Sequence, residues 1–274
     1  MSFNYEYYIR GDKFPHIWCE GCGIGIMLKS VFRAFHKLGI DKNKLVVVSG
    51  IGCTSRIPGY VDANTLHTTH GRALSFATGI KLFKPELTVL CIAGDGDMAA
   101  IGGNHFIHAC RRNIDITTVI YNNYNYGMTG GQHSPTTPEG GRTTTTPYGN
   151  IDPPFDLCAL AAGAGATFVG RTTIFYTAQI EDLVTRAIAH KGFSVVEVVG
   201  HCHTNYGRRN KRPSAVENIE WLKSLTLPAK AAEKLPPEQR AGKILTGILK
   251  EELREEYCER YWKMVENLRS KKNG

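Results

Sequence analysis

The sequence predicts an α/β fold, a parallel sheet with helices on both faces, followed by a C-terminal helical arm. Three observations carry this. Short β-branched runs, such as Leu45, Val46, Val47 and Val48, are apolar at every position, as strands covered on both faces are. Stretches with apolar residues at three- and four-residue steps alternate with such runs, the pattern of parallel strands joined by helical crossovers. From about Asn218 the chain turns charged, with Leu245, Ile248, Leu249 and Leu253 spaced like one helical face and a break at Pro236 and Pro237.

The elements follow in order. Ile24, Met27, Leu28, Val31, Phe32, Phe35 and Leu38 predict a helix over 24–38, and Gly39 stands where a helix stops. A strand at 45–48 precedes a helix at 71–83, a strand at 86–93, a helix at 101–112 and a strand at 116–121. The segment from about Asn122 to Pro154 is rich in Gly, Thr, Pro, Asn and Tyr; loops this long inside a compact domain are functional or disordered. Asp156 is expected to cap a short helix through Ala162, and 166–169 reads as a strand. Thr177 is expected to cap a helix through His190, with Ile180, Leu183, Val184, Ala187 and Ile188 on one face. A last strand covers 193–199. This divides the chain into a domain at 1–217 and the arm at 218–274.

Composition excludes several classes. With 274 residues, 42% hydrophobic and 21% charged, the chain can bury a sizeable core and is not mainly disordered. No apolar run approaches a membrane span, and the first residues lack a basic-then-apolar leader. The 8 cysteines are too few and too scattered for a disulfide scaffold, so a reducing, cytoplasmic location is expected. The net charge is +8. Arg208, Arg209, Lys211 and Arg212 form a local basic run that suits a solvated face or an acidic protein partner. No nucleic-acid motif accompanies it.

In folds of this class ligands sit at the carboxyl ends of strands. Residues 49–56, 94–97 and 122–131 lie at three such ends. Gly94, Asp95, Gly96 and Asp97 end one buried strand, and Asn122, Asn123 and Asn125 follow the next. A carboxylate, an amide oxygen and a backbone carbonyl are hard ligands that suit Mg²⁺ beside a diphosphate, and the glycines let backbone N–H groups approach that diphosphate. A Gly-Asp-Gly alone is an ordinary turn. With the asparagines at this spacing the pattern resembles the thiamin diphosphate signature. That resemblance makes Asp95 and Asn123 side-chain ligands, gives Asn125 a backbone-carbonyl role, and lays Gly127 and Met128 along the diphosphate.

Cys19 and Cys22 form a C-x-x-C ahead of a helix. It has three readings: a thiol–disulfide redox pair, a zinc site lacking its second ligand pair, or half of an iron–sulfur site. Cys53 and Cys202 are candidates for the other half. Cys91, Cys110, Cys158 and Cys258 sit in strand or helix patterns, as small buried apolar side chains do. His201 and His203 flank Cys202 and read as exposed loop histidines or as groups tuning a cluster.

The combination resembles the β subunit of the 2-oxoacid:ferredoxin oxidoreductases. The shared stretches are 18–23, 50–53, 70–73, 94–97, 102–105 and 126–132, within a resemblance over roughly residues 10–212. The resemblance implies a thiamin diphosphate-binding fold and a 4Fe–4S cluster on Cys19, Cys22, Cys53 and Cys202. Glu20 stands where the family often has proline. Ile51, Gly52, Cys53 and Thr54 are placed near the thiazolium, and His70, Gly94, Gly96, Asp97 and Asn123 complete the cofactor site.

The implied reaction is reversible oxidative decarboxylation of a 2-oxoacid to an acyl-CoA and CO₂. It uses coenzyme A as co-substrate and passes electrons through the cluster to ferredoxin. Cofactor activation needs a carboxylate that the family takes from a separate α subunit, which implies an (αβ)₂ assembly. Arg56 and His70 are the substrate-side candidates: a guanidinium can clamp a carboxylate, or else form a structural ion pair. With Arg56 and the compact C-terminal region, 2-oxoglutarate is the favoured substrate and pyruvate the alternative. A thiol–disulfide oxidoreductase on Cys19 and Cys22 is the more distant one.

Overall fold

The structure is a computed structural model and describes residues 3–272. An 8-stranded sheet runs in the order β2-β1-β3-β4-β8-β7-β10-β9. Its strands are β1 (Leu45–Ser49), β2 (Asn64–His67), β3 (Thr88–Gly94), β4 (Thr117–Asn122), β7 (Phe168–Thr173), β8 (Ser194–Val199), β9 (Thr226–Pro228) and β10 (Ile244–Glu251). The two-residue strands β5 (Asn125–Tyr126) and β6 (Gln132–His133) form a separate hairpin. The six strands from β2 to β7 pair in parallel. Only β10 runs against its neighbour β7, and β9 lies parallel to β10.

Strand pleating explains the two covered faces. On β1, Leu45 and Val47 enter one core while Val46 and Val48 enter the other. The first core takes helices α1 (Gly23–Lys37) and α5 (Thr177–Ala189), whose apolar stripes include Met27, Phe35, Ile180 and Val184. The second takes α2 (Ala73–Phe83), α3 (Gly103–Arg112) and α4 (Leu157–Ala164), through Leu74, Phe106 and Ala161. Full burial of each such Leu, Ile or Phe contributes roughly 1.5–3 kcal/mol. Asp156 caps α4, its side chain accepting from Ala159 N at 2.9 Å.

Three local readings are corrected. The strand expected at 166–169 runs over Phe168–Thr173, because β7 pairs along its whole length with β8. Thr177 is the first helical residue of α5, not its cap; the N-cap is Tyr176, without a side-chain bond. The chain beyond 217 is not wholly helical. It holds α6 (Ala215–Leu225), α7 (Ala229–Ala232), α8 (Pro237–Arg240) and α9 (Tyr257–Lys272), with β9 and β10 between them. Leu245, Ile248 and Leu249 lie on β10, and Leu253 is exposed. Gly247, at φ 112°, and a register shift between Ile248 and Lys250 interrupt the two-residue period of β10. That bulge turns an alternating strand into a sequence with helix-like spacing. Among the described residues, no helix is long and apolar enough to cross a membrane.

Candidate cofactor and cluster site

The carboxyl ends of β1, β3, β4 and β8 open onto one edge of the sheet, and the loops leaving them frame two adjoining cavities. The first encloses about 110 Å³. Ile51, Gly52, Cys53 and Thr54 from the β1 loop lie on its wall, with His70 from the turn before α2. Gly94, Asp95, Gly96 and Asp97 come from the end of β3, and Asn123, Asn125, Gly127 and Met128 from the loop after β4. Tyr126 and Thr129 complete it.

Asp95 and Asn123 meet because β3 and β4 are adjacent, with Gly94 in register with Tyr121. The amide end of Asn123 stands 3.3 Å from Asp95 Oδ1 and 2.7 Å from the Asn125 carbonyl oxygen. An amide nitrogen in that place donates to both oxygens; with the amide turned over, the Asn123 oxygen joins them as the third hard donor that a divalent cation takes. Asp95 is buried, and burial pushes its carboxyl up to about 6 despite hydrogen bonds that stabilise the anion. Those come from Ser134 Oγ at 2.5 Å and Thr136 Oγ1 at 2.6 Å. Ser134 and Thr136 were not legible as site residues; the signal was only a hydroxyl-rich stretch within a long loop. Thr136 Oγ1 also lies 2.9 Å from Asn122 Oδ1, and Asn122 Nδ2 donates to Glu197 at 2.8 Å. This braces the loop through the sheet.

Asp97 has a different task. Its buried carboxylate accepts from Gly71 N at 2.7 Å, Ile51 N at 3.2 Å and Ser55 Oγ at 3.4 Å, and binds His70 Nδ1. Four donors from two loops thus converge on one side chain. Gly50 is required beside it, since a Cβ there would stand 2.1 Å from Asp97 Oδ2. His70 is thereby anchored at Nδ1 while its ring lines the cavity. Arg56 is exposed on the turn Thr54–Tyr60 and is not on the cavity wall; among the described residues no carboxylate pairs with it.

The second cavity, about 300 Å³, has Cys19, Cys22, Cys53 and Cys202 on its wall. It shares Cys53, Asn123, Gly127 and Met128 with the first. Gly127 is the partition. A Cβ there would lie 3.3 Å from Cys202 Sγ and 3.6 Å from Cys53 Sγ. Trp18 Nε1 donates to the Cys53 carbonyl at 2.7 Å, and Asn205 Nδ2 donates to the Gly127 carbonyl at 3.0 Å. Thr204 Oγ1 lies 3.6 Å from Cys202 Sγ and 4.0 Å from Cys19 Sγ.

Burial, with the neighbouring thiols adding to it, pushes Cys22 up to about 12 and Cys53 to about 11. Thiols gathered in a desolvated pocket ionise when a metal supplies the compensating charge, so the donor set fits an iron–sulfur cluster. Cys91, Cys110, Cys158 and Cys258 are buried in the second core. His201 is buried at 2% exposure and His203 half-buried, which corrects the reading of both as exposed loop histidines. The chain turns inward at Gly200 against the ring of Tyr121, whose hydroxyl accepts from His201 N at 3.1 Å. Asp156, Cys158 and Glu197 also cluster. The Arg171 guanidinium lies among them, its Nε 2.7 Å from Glu197, making a buried ion pair rather than a cation site.

The family described as "Thiamine pyrophosphate enzyme, C-terminal TPP binding domain" matches residues 50–198, which span both asparagine and aspartate ligand candidates. Over 273 residues the chain is 49% identical to the 2-oxoglutarate synthase subunit KorB of Archaeoglobus fulgidus, covering 100% of this chain and 98% of the relative. The chain belongs to the β subunits of the 2-oxoacid:ferredoxin oxidoreductases. The KorB subunit of Methanothermobacter marburgensis is 47% identical over 262 residues, covering 96% of this chain and 92% of that relative. The β-subunit fold is also that of a solved structure of 2-oxoglutarate:ferredoxin oxidoreductase from Magnetococcus marinus with 2-oxoglutarate, coenzyme A and succinyl-CoA bound. It superposes with a TM-score of 0.86 at 31% identity, covering 97% of this chain and 91% of that one. As a β subunit, the chain is one part of a multi-subunit oxidoreductase.

Proposed function

We propose that this chain carries thiamin diphosphate, Mg²⁺ and one 4Fe–4S cluster, and that with an α subunit it converts 2-oxoglutarate and coenzyme A to succinyl-CoA and CO₂ in the cytoplasm, delivering electrons to ferredoxin. One observation carries the reading: the oxygen-lined cavity and the four-cysteine cavity share a wall at Cys53, Asn123, Gly127 and Met128. Bound there, thiamin diphosphate supplies an electron sink for decarboxylation and the cluster a one-electron acceptor.

The chain's own residues do the rest. Asp95, Asn123 and the Asn125 carbonyl hold the divalent ion that anchors the diphosphate. Gly127, without a side chain, keeps the partition between the cavities thin. Asp97 fixes His70 at Nδ1, leaving Nε2 as the free ring nitrogen for the substrate or a developing anion. The two carboxylates on the first cavity's wall are both committed, Asp95 to the metal and Asp97 to His70 and the loop amides. The activating carboxylate is then the α subunit's, as the resemblance to the family implies. Ile51 and Met128, 42% and 47% exposed at the cavity, are apolar surface for that partner to cover.

The test is reconstitution of the co-expressed αβ enzyme under anaerobic conditions. Reduction of ferredoxin is expected to require 2-oxoglutarate, coenzyme A, Mg²⁺ and thiamin diphosphate together; turnover without coenzyme A or without a carrier overturns the assignment. Substrate choice has its own test. Because Arg56 is exposed and stands outside the cavity wall, Arg56→Ala is expected to change kcat/KM for 2-oxoglutarate and for pyruvate by less than about threefold. A selective loss on 2-oxoglutarate would restore the distal-carboxylate role.

The raised Asp95 carboxyl also sets a pH dependence. Protonation is favoured in the folded apoprotein, so this group's contribution to stability is present at low pH. It is lost as pH rises through about 6. Metal binding runs the other way, because the proton competes for the same oxygens. Affinity for Mg²⁺ with thiamin diphosphate is expected to fall about tenfold per unit below that pH. Titration calorimetry across the interval checks it, and a flat profile would contradict Asp95 as ligand.

A further inference from the structure

We propose that the exposed basic turn of Arg208, Arg209 and Lys211, joined by Arg142, is the docking surface for a small acidic iron–sulfur electron carrier. This rests on the cluster reading above. The four side chains are exposed, and among the described residues none has a carboxylate within salt-bridge distance, although the chain makes such pairs widely elsewhere. Arg212, the remaining cation of the run, is spent otherwise: its guanidinium lies 4.0 Å over the Trp221 ring. The free charges therefore form a selected subset of the run, all on the solvent side.

Their placement is built. Asn210 accepts from Arg142 N at 3.0 Å and donates to the Arg142 carbonyl at 2.9 Å, which pins a distant loop beside the turn. The turn is tied to the cluster loop as well. Gly207 N donates to the Cys202 carbonyl at 2.9 Å, and Arg212 N to the Gly207 carbonyl at 2.7 Å. Gly207 has no room for a side chain, since a Cβ would stand 2.4 Å from the Arg212 carbonyl oxygen.

One corner of the cage is exposed. Cys22, Cys53 and Cys202 are half-buried, whereas Cys19 is exposed, and Thr204 bridges Cys19 to the segment that leads into the basic turn. A carrier of negative surface charge seated on the turn is thereby joined, through residues 202–207, to the loop that holds Cys202 and contacts Cys19. Oxidation of one 2-oxoacid with coenzyme A yields acyl-CoA, CO₂, one proton and two electrons. Two oxidised carriers each leave with one electron, so docking must be fast and reversible, the regime that rim electrostatics serves.

The experiment uses the assembled αβ enzyme carrying R142Q, R208Q, R209Q and K211Q together, with an acidic 2×4Fe–4S ferredoxin as probe. At low ionic strength the ferredoxin KM is expected to rise about tenfold, and its dependence on salt to flatten. Iron per chain, α-subunit association and the carrier-free rate of cluster reduction by 2-oxoacid with coenzyme A, read by stopped-flow absorbance, are expected to stay unchanged. An unchanged ferredoxin KM and salt slope would overturn the docking proposal while leaving the cluster reading intact. Loss of α-subunit association would overturn it too, by making the turn a subunit interface. Wild-type enzyme without iron would fail the cluster reading itself. A control that neutralises exposed cations elsewhere, K230Q, K234Q and R240Q together, separates a general charge effect from a local one: an equal rise in ferredoxin KM there would also overturn the proposal.

Discussion

Asp95→Asn is expected to abolish cofactor loading while leaving the fold intact. The substitution keeps the shape of the side chain and lets Ser134 and Thr136 go on donating to an oxygen. It removes the charge that balances a divalent ion at a site whose other ligands, Asn123 and the Asn125 carbonyl, are neutral. Turnover should fall about 10³-fold or more, and calorimetry should show no Mg²⁺-dependent binding of thiamin diphosphate. The apoprotein should unfold at the same or a higher temperature. At neutral pH the ionised, buried Asp95 opposes folding by roughly 3 kcal/mol, the shift from its ordinary value to about 6. An amide carries no such cost. A variant that binds cofactor normally would move the metal elsewhere; a variant that merely unfolds would show Asp95 to be structural.

Cys22→Ser is expected to empty the cysteine cage. The wild-type chain, co-expressed with its α subunit and purified anaerobically, should carry about four iron and four sulfide, and the variant less than about one. Ferredoxin reduction should fall at least about 10²-fold. Thiamin diphosphate binding should persist, because Cys22 lies on the wall of the second cavity and not of the first. Cys258→Ala, in the second core, should leave the iron unchanged. A dithiol oxidoreductase would show no iron in any of the three proteins, with a reversible disulfide between Cys19 and Cys22.

Much of the candidate site was legible because it is local. Gly94 to Asp97 and Asn122 to Asn125 each sit at the end of a buried strand, and the spacing of one crossover makes the two strands neighbours. Side-chain roles within those motifs were less legible. Asp95 and Asp97 look equivalent in the sequence, yet one faces the converging oxygens and the other gathers loop amides and His70. Ser134, Thr136, Thr204 and Asn205 come from loops whose composition advertises polarity but not direction. The C-terminal strand was misread for a specific reason: the bulge at Gly247 gives Leu245, Ile248 and Leu249 the spacing of a helix, and only pairing with β7 makes them a strand.

By itself the sequence determined the alternation of covered strands and amphipathic helices, the placing of the Gly94–Asp97 and Asn122–Asn125 motifs at neighbouring strand ends, and which four of the eight cysteines are not core residues. These are properties of residue type and of short spacings, where backbone geometry leaves few choices. The tertiary structure alone decided that Cys19, Cys22, Cys53 and Cys202 line one cavity, that this cavity shares a wall with the oxygen-lined one, and that Arg56 stands outside both. Those facts depend on sheet order. The strands carrying Cys53 and Cys202 are separated by β3 and β4, and only the folding back of their loops over that common edge brings distant thiols together.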